Sequence, residues 1–129
     1  MPHHEHWKDE PDDHDYPAAQ SYLSLVLDDA AAAARLVTAL KSSKLDHYKA
    51  KDILRASRLP LLDRKNFHVA ADLQKVARGL KLSPILLVRG RLENDTPLTI
   101  ADGYHRVCAS YALDEDADIP CRIADFPAR

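Results

Sequence analysis

Residues 100–112 read IADGYHRVCASYA, and this stretch decides the fold. Its apolar start is typical of a strand, and Asp102 and Gly103 mark the end of that strand. The apolar residues after Gly103 recur at helical spacing, so the sequence predicts a helix that begins directly after the glycine. His105 and Arg106 then lie in the first turn of the helix, where unpaired amides and the helix dipole attract anions. The stretch therefore predicts an anion site at a strand-to-helix junction.

Composition places the chain among small proteins with one domain. It has 129 residues, and 18 basic against 20 acidic side chains give a formal net charge of −2. The chain lacks the global basic field that drives nonspecific binding to nucleic acids, so DNA binding is not expected. Its apolar runs fall well short of the roughly 20 residues that a membrane-spanning helix needs. No contact with a membrane is therefore expected.

The two cysteines, Cys108 and Cys121, lack the spacing of a metal site, and the N-terminus lacks the pattern of a secretory signal. Both features predict free thiols in a reducing compartment, which makes the cytoplasm the expected location. Neither thiol lies in a Cys-x-x-Cys motif, so neither is expected to act as a nucleophile.

Residues 1–16, MPHHEHWKDEPDDHDY, combine histidines with acids and two prolines and offer almost nothing to bury. This composition predicts a flexible acidic, His-rich arm. His3, His4 and His6 could capture a divalent metal weakly, but a solvated tail is the favoured interpretation because flexible histidines form no preformed site. Trp7 is the one residue of the arm that is expected to dock on the domain.

Residues 17–45 are predicted to form an N-terminal helical segment. Apolar side chains recur at helical spacing before Asp28 and Asp29, which can end one helix or cap the next. The run AAAAARLVTALKSS that follows has high helix propensity and one apolar face. The segment is therefore either a helical hairpin or one kinked helix, and its alanines are expected to serve close helix packing.

Residues 46–129 are predicted to alternate short strands and helices. A strand around Tyr48 leads to a turn that Asp52 caps, and Gly79 ends the next helix in a left-handed conformation. The apolar run PILLV predicts a strand over residues 84–89, with PLTIAD as the returning strand of a hairpin or crossover. The helix of the opening stretch and a last strand, DIPCRIA, complete an α+β fold, with α/β as the alternative.

From about Asp46 to Asp125 the chain resembles the ParB/sulfiredoxin-like superfamily. The resemblance rests on ARGLKLSPILLVRG, IADGYHRVCASYAL and DIPCRIA in that order. It implies a small mixed sheet flanked by helices, to which residues 17–45 add an N-terminal extension. In that superfamily the glycine and the following basic pair hold nucleotide phosphates. The resemblance therefore implies ATP or CTP as the ligand, with Mg²⁺ beside it.

The resemblance assigns candidate roles around the motif. Asp102 is the candidate catalytic residue, beside Mg²⁺ or a hydroxyl nucleophile, and a simple N-cap explains an aspartate here equally well. The candidate cofactor-binding residues are Gly103, Tyr104, His105, Arg106, Ser57 and Arg58. His105 either donates to a phosphate or supports the core, and Tyr104 either stacks on a ligand ring or packs. Ser57 and Arg58 either wall the same pocket or lie in surface contacts such as salt bridges.

Departures from the superfamily pattern restrict the function. Tyr104 stands where sulfiredoxins carry their catalytic cysteine, so reduction of a cysteine sulfinic acid is not expected. Cys108 lies one helical turn later and is expected to be buried rather than reactive. Chromosome-partition ParB proteins continue into a helix-turn-helix domain, which is not expected here. Asp63 is the carboxylate nearest to the catalytic acid of the serine-kinase branch, and its equivalence stays open.

The sequence thus predicts a protein that binds a nucleotide or another phosphorylated small molecule, with phosphoryl transfer or nucleotide hydrolysis as candidate reactions. A non-catalytic nucleotide-sensing or protein-interaction module is the alternative, so a protein partner stays open. Nuclease-like DNA binding ranks last because the chain is acidic. Arg106→Ala is expected to weaken ligand binding about tenfold or more with little loss of fold stability.

Overall fold

The structure, a computed structural model, describes residues 6–125 of the chain. Within that range five α-helices surround one four-stranded sheet. The helices are α1 Asp15–Leu27, α2 Ala30–Ser42, α3 Ala50–Ser57, α4 Phe67–Ala77 and α5 Tyr104–Leu113, and the strands are β1 Asp46–Lys49, β2 Ile85–Val88, β3 Thr99–Asp102 and β4 Asp118–Ala124. None of these five helices is long and apolar enough to cross a membrane.

The strands lie in the order β1-β4-β2-β3. β4 pairs antiparallel with β1 and parallel with β2, so the sheet is mixed. β3 pairs antiparallel with β2, so PLTIAD returns as the second strand of a hairpin rather than through a crossover. A mixed sheet with helices around it confirms the predicted α+β fold class.

Helices cover both faces of the sheet, which explains why β2 is apolar at every position. Ile85 and Leu87 belong to the core cluster that β2 shares with α3, α4 and α5. Leu86 and Val88 belong to a second core cluster, which β2 shares with α1 and α2. The alternation follows from the two-residue period of a strand. β2 therefore holds the two helical layers together, and β3 beside it leads into α5.

The N-terminal helices form a hairpin, the first of the two predicted alternatives. Asp28 ends α1 in a left-handed conformation with a φ of 51°, which turns the chain. Asp29 then caps α2, because its carboxylate accepts a hydrogen bond from the amide of Ala32 at 3.0 Å. Ala33 is fully buried in the cluster between the hairpin and the sheet, as expected for close helix packing.

The predicted elements of the motif region are confirmed. α5 and β4 occupy the residues that the sequence assigned to them, and Gly79 follows α4 with a φ of 78°. The difference lies after β1, where the prediction of a turn capped by Asp52 is wrong. The chain forms the two-turn helix α3 there, and Asp52 lies in its first turn. The physical reason is a buried face at helical spacing, formed by Ala50, Ile53, Leu54 and Ser57.

Residues 6–16 pack on the domain, whereas the sequence predicted a flexible arm. Trp7 is only 4% exposed and forms a parallel bridge with Leu82, which makes two backbone hydrogen bonds of 2.7 and 2.8 Å to the segment. The expected docking of Trp7 is confirmed. One large indole buries enough apolar surface to hold its neighbours against the domain. The candidate metal ligands His3 and His4 lie outside the described residues.

Candidate functional site

An open cleft of about 580 Å³ lies where the N-terminus of α5, the helix α4 and residues 8–15 meet, and we call it the α5 cleft. Four predicted site residues line it, namely Asp102, Gly103, His105 and Arg106. They are joined by further charged or titratable side chains, Lys8, Lys75, Lys81, His14, His68, Asp12, Asp15 and Asp72. The volume lies within the range of small-molecule sites.

Gly103 forms the junction between β3 and α5. Its φ of 115° suits glycine, and a Cβ at this position would collide with Cδ1 of Ile85 and approach Nη2 of Arg106. The glycine is thus required by the packing of the protein itself. It also leaves the first turn of α5 without a side-chain cap. The alternative that Asp102 is a simple N-cap is therefore wrong, since Gly103 holds the cap position.

Arg106 is held by three oxygen acceptors. Its Nη2 donates to Oδ2 of Asp102 at 2.6 Å, and its Nη1 donates to the carbonyl of Ser83 at 2.8 Å. The same Nη1 lies 3.3 Å from Oδ2 of Asp15. The guanidinium is largely buried, and two carboxylates offset the unfavourable position of a cation at a helix start. Arg106 thus joins β3, α5 and the start of α1.

Asp15 is the main residue of the site that the sequence did not reveal. It is 4% exposed, and its Oδ2 accepts a short hydrogen bond from the hydroxyl of Ser83. Ser83 Oγ in turn accepts the amide of Asp12 at 3.0 Å. The residues that meet here are separated by up to 91 positions along the chain. Local sequence patterns contain no signal for such a contact.

His105 faces His68 and Asp72 of α4. The two imidazole rings lie 4.6 Å apart between their centroids. Burial lowers the pKa of His105 below its usual range, the neighbouring His68 acts in the same direction, and the Asp72 carboxylate opposes the change. Burial also raises the pKa of Asp72, whose Oδ1 lies 3.9 Å from Nζ of Lys75. The lowered pKa favours the neutral imidazole, and an anion bound beside it would favour the cationic form.

Burial raises the pKa of Asp102, and the Arg106 guanidinium opposes the shift. The negative charge of the nearby Asp15 adds to the increase, because like charges repel. Arg106 is the cation that favours the charged form of Asp102. This coupling makes the arginine a structural counter-ion before any ligand is considered.

Three predicted cofactor-binding residues do not line the α5 cleft. The Tyr104 hydroxyl donates to the carbonyl of Pro60, and the ring packs against the core, which matches its packing alternative. Ser57 is buried and donates to the carbonyl of Leu54 at 3.0 Å. Arg58 forms an exposed ion pair of 2.5 Å with Asp95, which matches its salt-bridge alternative. Asp63, the other open candidate, accepts the amide of Lys65 at 2.7 Å, also outside the cleft lining.

Both cysteines are free and fully buried. Burial raises the pKa of Cys121 to about 12 and also raises the pKa of Cys108. The thiolate, which is the reactive form, is therefore strongly disfavoured at Cys121 and disfavoured at Cys108.

One cluster near the cleft has the composition of a cation site. Ligand atoms of Asp12, His14 and Asp15 all lie within 4.8 Å of one another. Asp15 already accepts hydrogen bonds from Ser83 and Arg106, and Nε2 of His14 lies 3.3 Å from its other oxygen. These contacts make the cluster part of the Arg106 ion-pair network.

Comparison with protein-family models, with curated proteins and with solved structures gives no match for this chain.

Proposed function

We propose that the α5 cleft binds the phosphate group of a nucleotide or of another phosphorylated small molecule. The observation that carries this proposal is the first turn of α5, which lacks a side-chain cap and opens into a cleft with three lysines. The ParB/sulfiredoxin-like resemblance points to ATP or CTP as the ligand, in agreement with a cleft of about 580 Å³.

The basic side chains differ in their freedom to meet a ligand. Lys8 is bonded to Asp12 at 2.7 Å, and Arg106 is held by its three acceptors. Lys75 is half exposed and only loosely paired, and Lys81 is exposed. The amides of α5, His105 and these two lysines are consequently the groups that would bind a phosphate. Arg106 positions the junction and does not serve as the main phosphate contact.

Carboxylates in the same cleft fit a nucleotide that carries a divalent cation. Asp12, Asp72 and Asp102 line the cleft, and a carboxylate beside the phosphate would offer Mg²⁺ the kind of oxygen ligand that it prefers. Mg²⁺ would neutralise phosphate charge next to these acids. Phosphoryl transfer would further require a free base, and Asp102 is engaged by Arg106 at 2.6 Å. The arrangement therefore supports binding of the nucleotide. A product assay measures whether the bound nucleotide is also turned over.

Isothermal titration of ATP, CTP and pyrophosphate, each with and without Mg²⁺, tests the proposal. Lys75→Gln is expected to weaken binding roughly tenfold or more, since it removes a charged contact to phosphate. Lys44→Gln is the matched control, because Lys44 is exposed and lies outside the cleft. Absence of binding for every anion at about millimolar concentration, or an equal effect of both variants, would contradict the proposal.

Anion affinity is expected to rise as the pH falls from about 8 to 5. His105 has a lowered pKa and is neutral at the upper end, whereas a bound anion favours its cationic form. The gain in affinity is complete once the pH falls below the pKa of His105 in the free protein. It amounts to about tenfold for each unit by which anion binding raises that pKa. Sulfate is the probe, because its own charge stays constant in this range.

Asp72 and Asp102 have raised pKa values, and their protonation at low pH also favours anion binding. His105→Gln separates the contribution of the imidazole from that of these carboxylates. It is expected to flatten most of the pH profile. His47→Gln, on the exposed strand β1, is expected to leave the profile unchanged. A profile that keeps its slope in His105→Gln would assign the effect to other side chains of the cleft instead, which include His14 and His68 besides the carboxylates.

A further inference from the structure

Asp72 on α4 is a buried carboxylate to which the fold gives few partners. It lines the α5 cleft beside Lys75, which is one of the proposed phosphate contacts. Asp72 is only 9% exposed, and among residues 6–125 its only ion pair is the one with Lys75, where Oδ1 and Nζ lie 3.9 Å apart. None of these residues donates a hydrogen bond to its carboxylate. Burial without a hydrogen bond is unfavourable for the fold, so Asp72 is a candidate for a functional role.

The other three carboxylates that line the cleft are already bonded. Each accepts a hydrogen bond from a neighbouring side chain, namely Asp102 from Arg106 at 2.6 Å, Asp15 from Ser83 and Asp12 from Lys8 at 2.7 Å. Hydrogen bonds of this kind favour the charged form of a carboxylate and make it a weaker base. Burial raises the pKa of Asp72 instead, and the charge of Lys75 opposes the shift. Asp72 is therefore the carboxylate of this lining that can accept a proton without breaking a hydrogen bond.

The pairing with Lys75 places Asp72 next to a bound phosphate. A phosphate oxygen on the Lys75 ammonium group lies close to the Asp72 carboxylate, because the two side chains are only 3.9 Å apart. Two anions repel each other at direct contact, so a water molecule that donates to Asp72 would separate them. The cleft is open, and water reaches this position. Asp72 can then take a proton from that water through a single hydrogen bond.

We propose that the α5 cleft hydrolyses the terminal phosphoanhydride bond of a nucleoside triphosphate, and that Asp72 is the base that activates the water. The water oxygen bonds to the γ-phosphorus while one proton of the water passes to Asp72. The bond between the γ-phosphorus and the bridging oxygen breaks, and its electron pair leaves with the nucleoside diphosphate. The second proton of the water stays on the released phosphate, and Asp72 returns its proton to the solvent. The inference rests on the proposed phosphate site, because Lys75 and the amides of α5 hold the reacting phosphate.

Release of inorganic phosphate from ATP and CTP with Mg²⁺ measures the reaction, and isothermal titration of the same nucleotides measures binding. Asp72→Asn keeps the size of the side chain and is expected to fold, since it removes a buried charge. It is expected to lower the rate at saturating nucleotide about a hundredfold or more. Its nucleotide affinity is expected to stay equal or to rise, because a negative charge near the phosphates is lost. Asp118→Asn, at an exposed position of β4 outside the cleft, is the matched control and is expected to change neither quantity.

The pH profile of the rate distinguishes a base from a structural residue. At saturating nucleotide the wild-type rate is expected to fall on acidification, as Asp72 gains a proton, and Asp72→Asn is expected to lack this fall. Four groups face Asp72, namely His68 and Lys75 on α4 and His105 and Arg106 on α5. Both chains carry these four groups, so their titration acts on both profiles alike. The difference between the two profiles therefore reports the titration of Asp72.

Nucleotide binding without release of phosphate would overturn the inference and leave the phosphate site intact. The inference also fails if Asp72→Asn keeps the wild-type rate, or if the variant loses nucleotide affinity together with the rate, since Asp72 is then structural. A variant in which Mg²⁺ no longer affects nucleotide affinity would make Asp72 a metal ligand rather than the base. Absence of binding by every nucleotide contradicts the phosphate site itself, and the inference with it.

Discussion

Replacing Arg106 with alanine is expected to lower the free energy of unfolding by about 3–5 kcal/mol. The substitution leaves the carboxylates of Asp102 and Asp15 buried without their shared counter-ion, and it removes a donor from the carbonyl of Ser83. The sequence had predicted little loss of stability, and the ion-pair network is the reason for the change. Urea denaturation at neutral pH measures the effect.

The loss is expected to shrink as the solution is acidified. Without Arg106 the pKa of Asp102 rises further above its value in the unfolded chain, since burial is no longer opposed. A group with a raised pKa in the folded state stabilises fully below its unfolded pKa and loses that contribution as the pH rises through its folded pKa. The difference between variant and wild type is therefore greatest near neutrality and smallest near about pH 4.

Arg89→Ala is the control for this prediction, because its ion pair of 3.1 Å with Asp125 is exposed. Its effect on the free energy of unfolding is expected to stay below about 1 kcal/mol. Arg106→Ala in an Asp102→Asn background should also cost less than in the wild type, because one of the two buried charges is then absent. Equal losses in both backgrounds would show that the Arg106–Asp102 pair contributes no coupling energy.

The elements that the sequence predicted correctly are those whose cause is local. A few neighbouring residues define each of these elements. An apolar run defines β2, Gly103 marks the start of α5, and the stretch DIPCRIA forms β4. The same holds for the hairpin, where Asp28 and Asp29 turn the chain and cap α2. Period, turn residues and caps are therefore sufficient for the framework that carries the cleft.

The contacts that complete the site depend on the assembled fold. The cation of Arg106 at a helix start predicts an anion beside it, and the structure supplies the carboxylates of Asp102 and Asp15. Asp15 reaches the site only because α1 packs beside β3. Their position after the first strand predicts Ser57 and Arg58 in the wall of the pocket. Ser57 instead ends α3 and donates to the carbonyl of Leu54, and Arg58 pairs with Asp95.

Trp7 is the residue that ties the N-terminal segment to the cleft, and Trp7→Ala is expected to lower the free energy of unfolding by about 3–5 kcal/mol. The indole is buried in the core cluster formed with α3, α4 and α5, so truncation leaves a large cavity. The bridge to Leu82 depends on that docking, and the residues that follow it supply Lys8, Asp12 and His14 to the cleft wall. Sulfate affinity is expected to fall together with stability, because the segment leads to Asp15, which helps to hold Arg106 at the start of α5.

The two effects can be separated because Trp7 is the single tryptophan of the chain. In a Leu82→Ala variant the indole remains, and its fluorescence emission reports whether the segment has moved into water. A red-shifted emission with weakened sulfate binding in a chain that is still folded is the expected result, since the segment then leaves the cleft before the core unfolds. Unchanged sulfate affinity in that state would show that residues 8–15 are only a neighbour of the anion site, and that α4 and α5 form it alone.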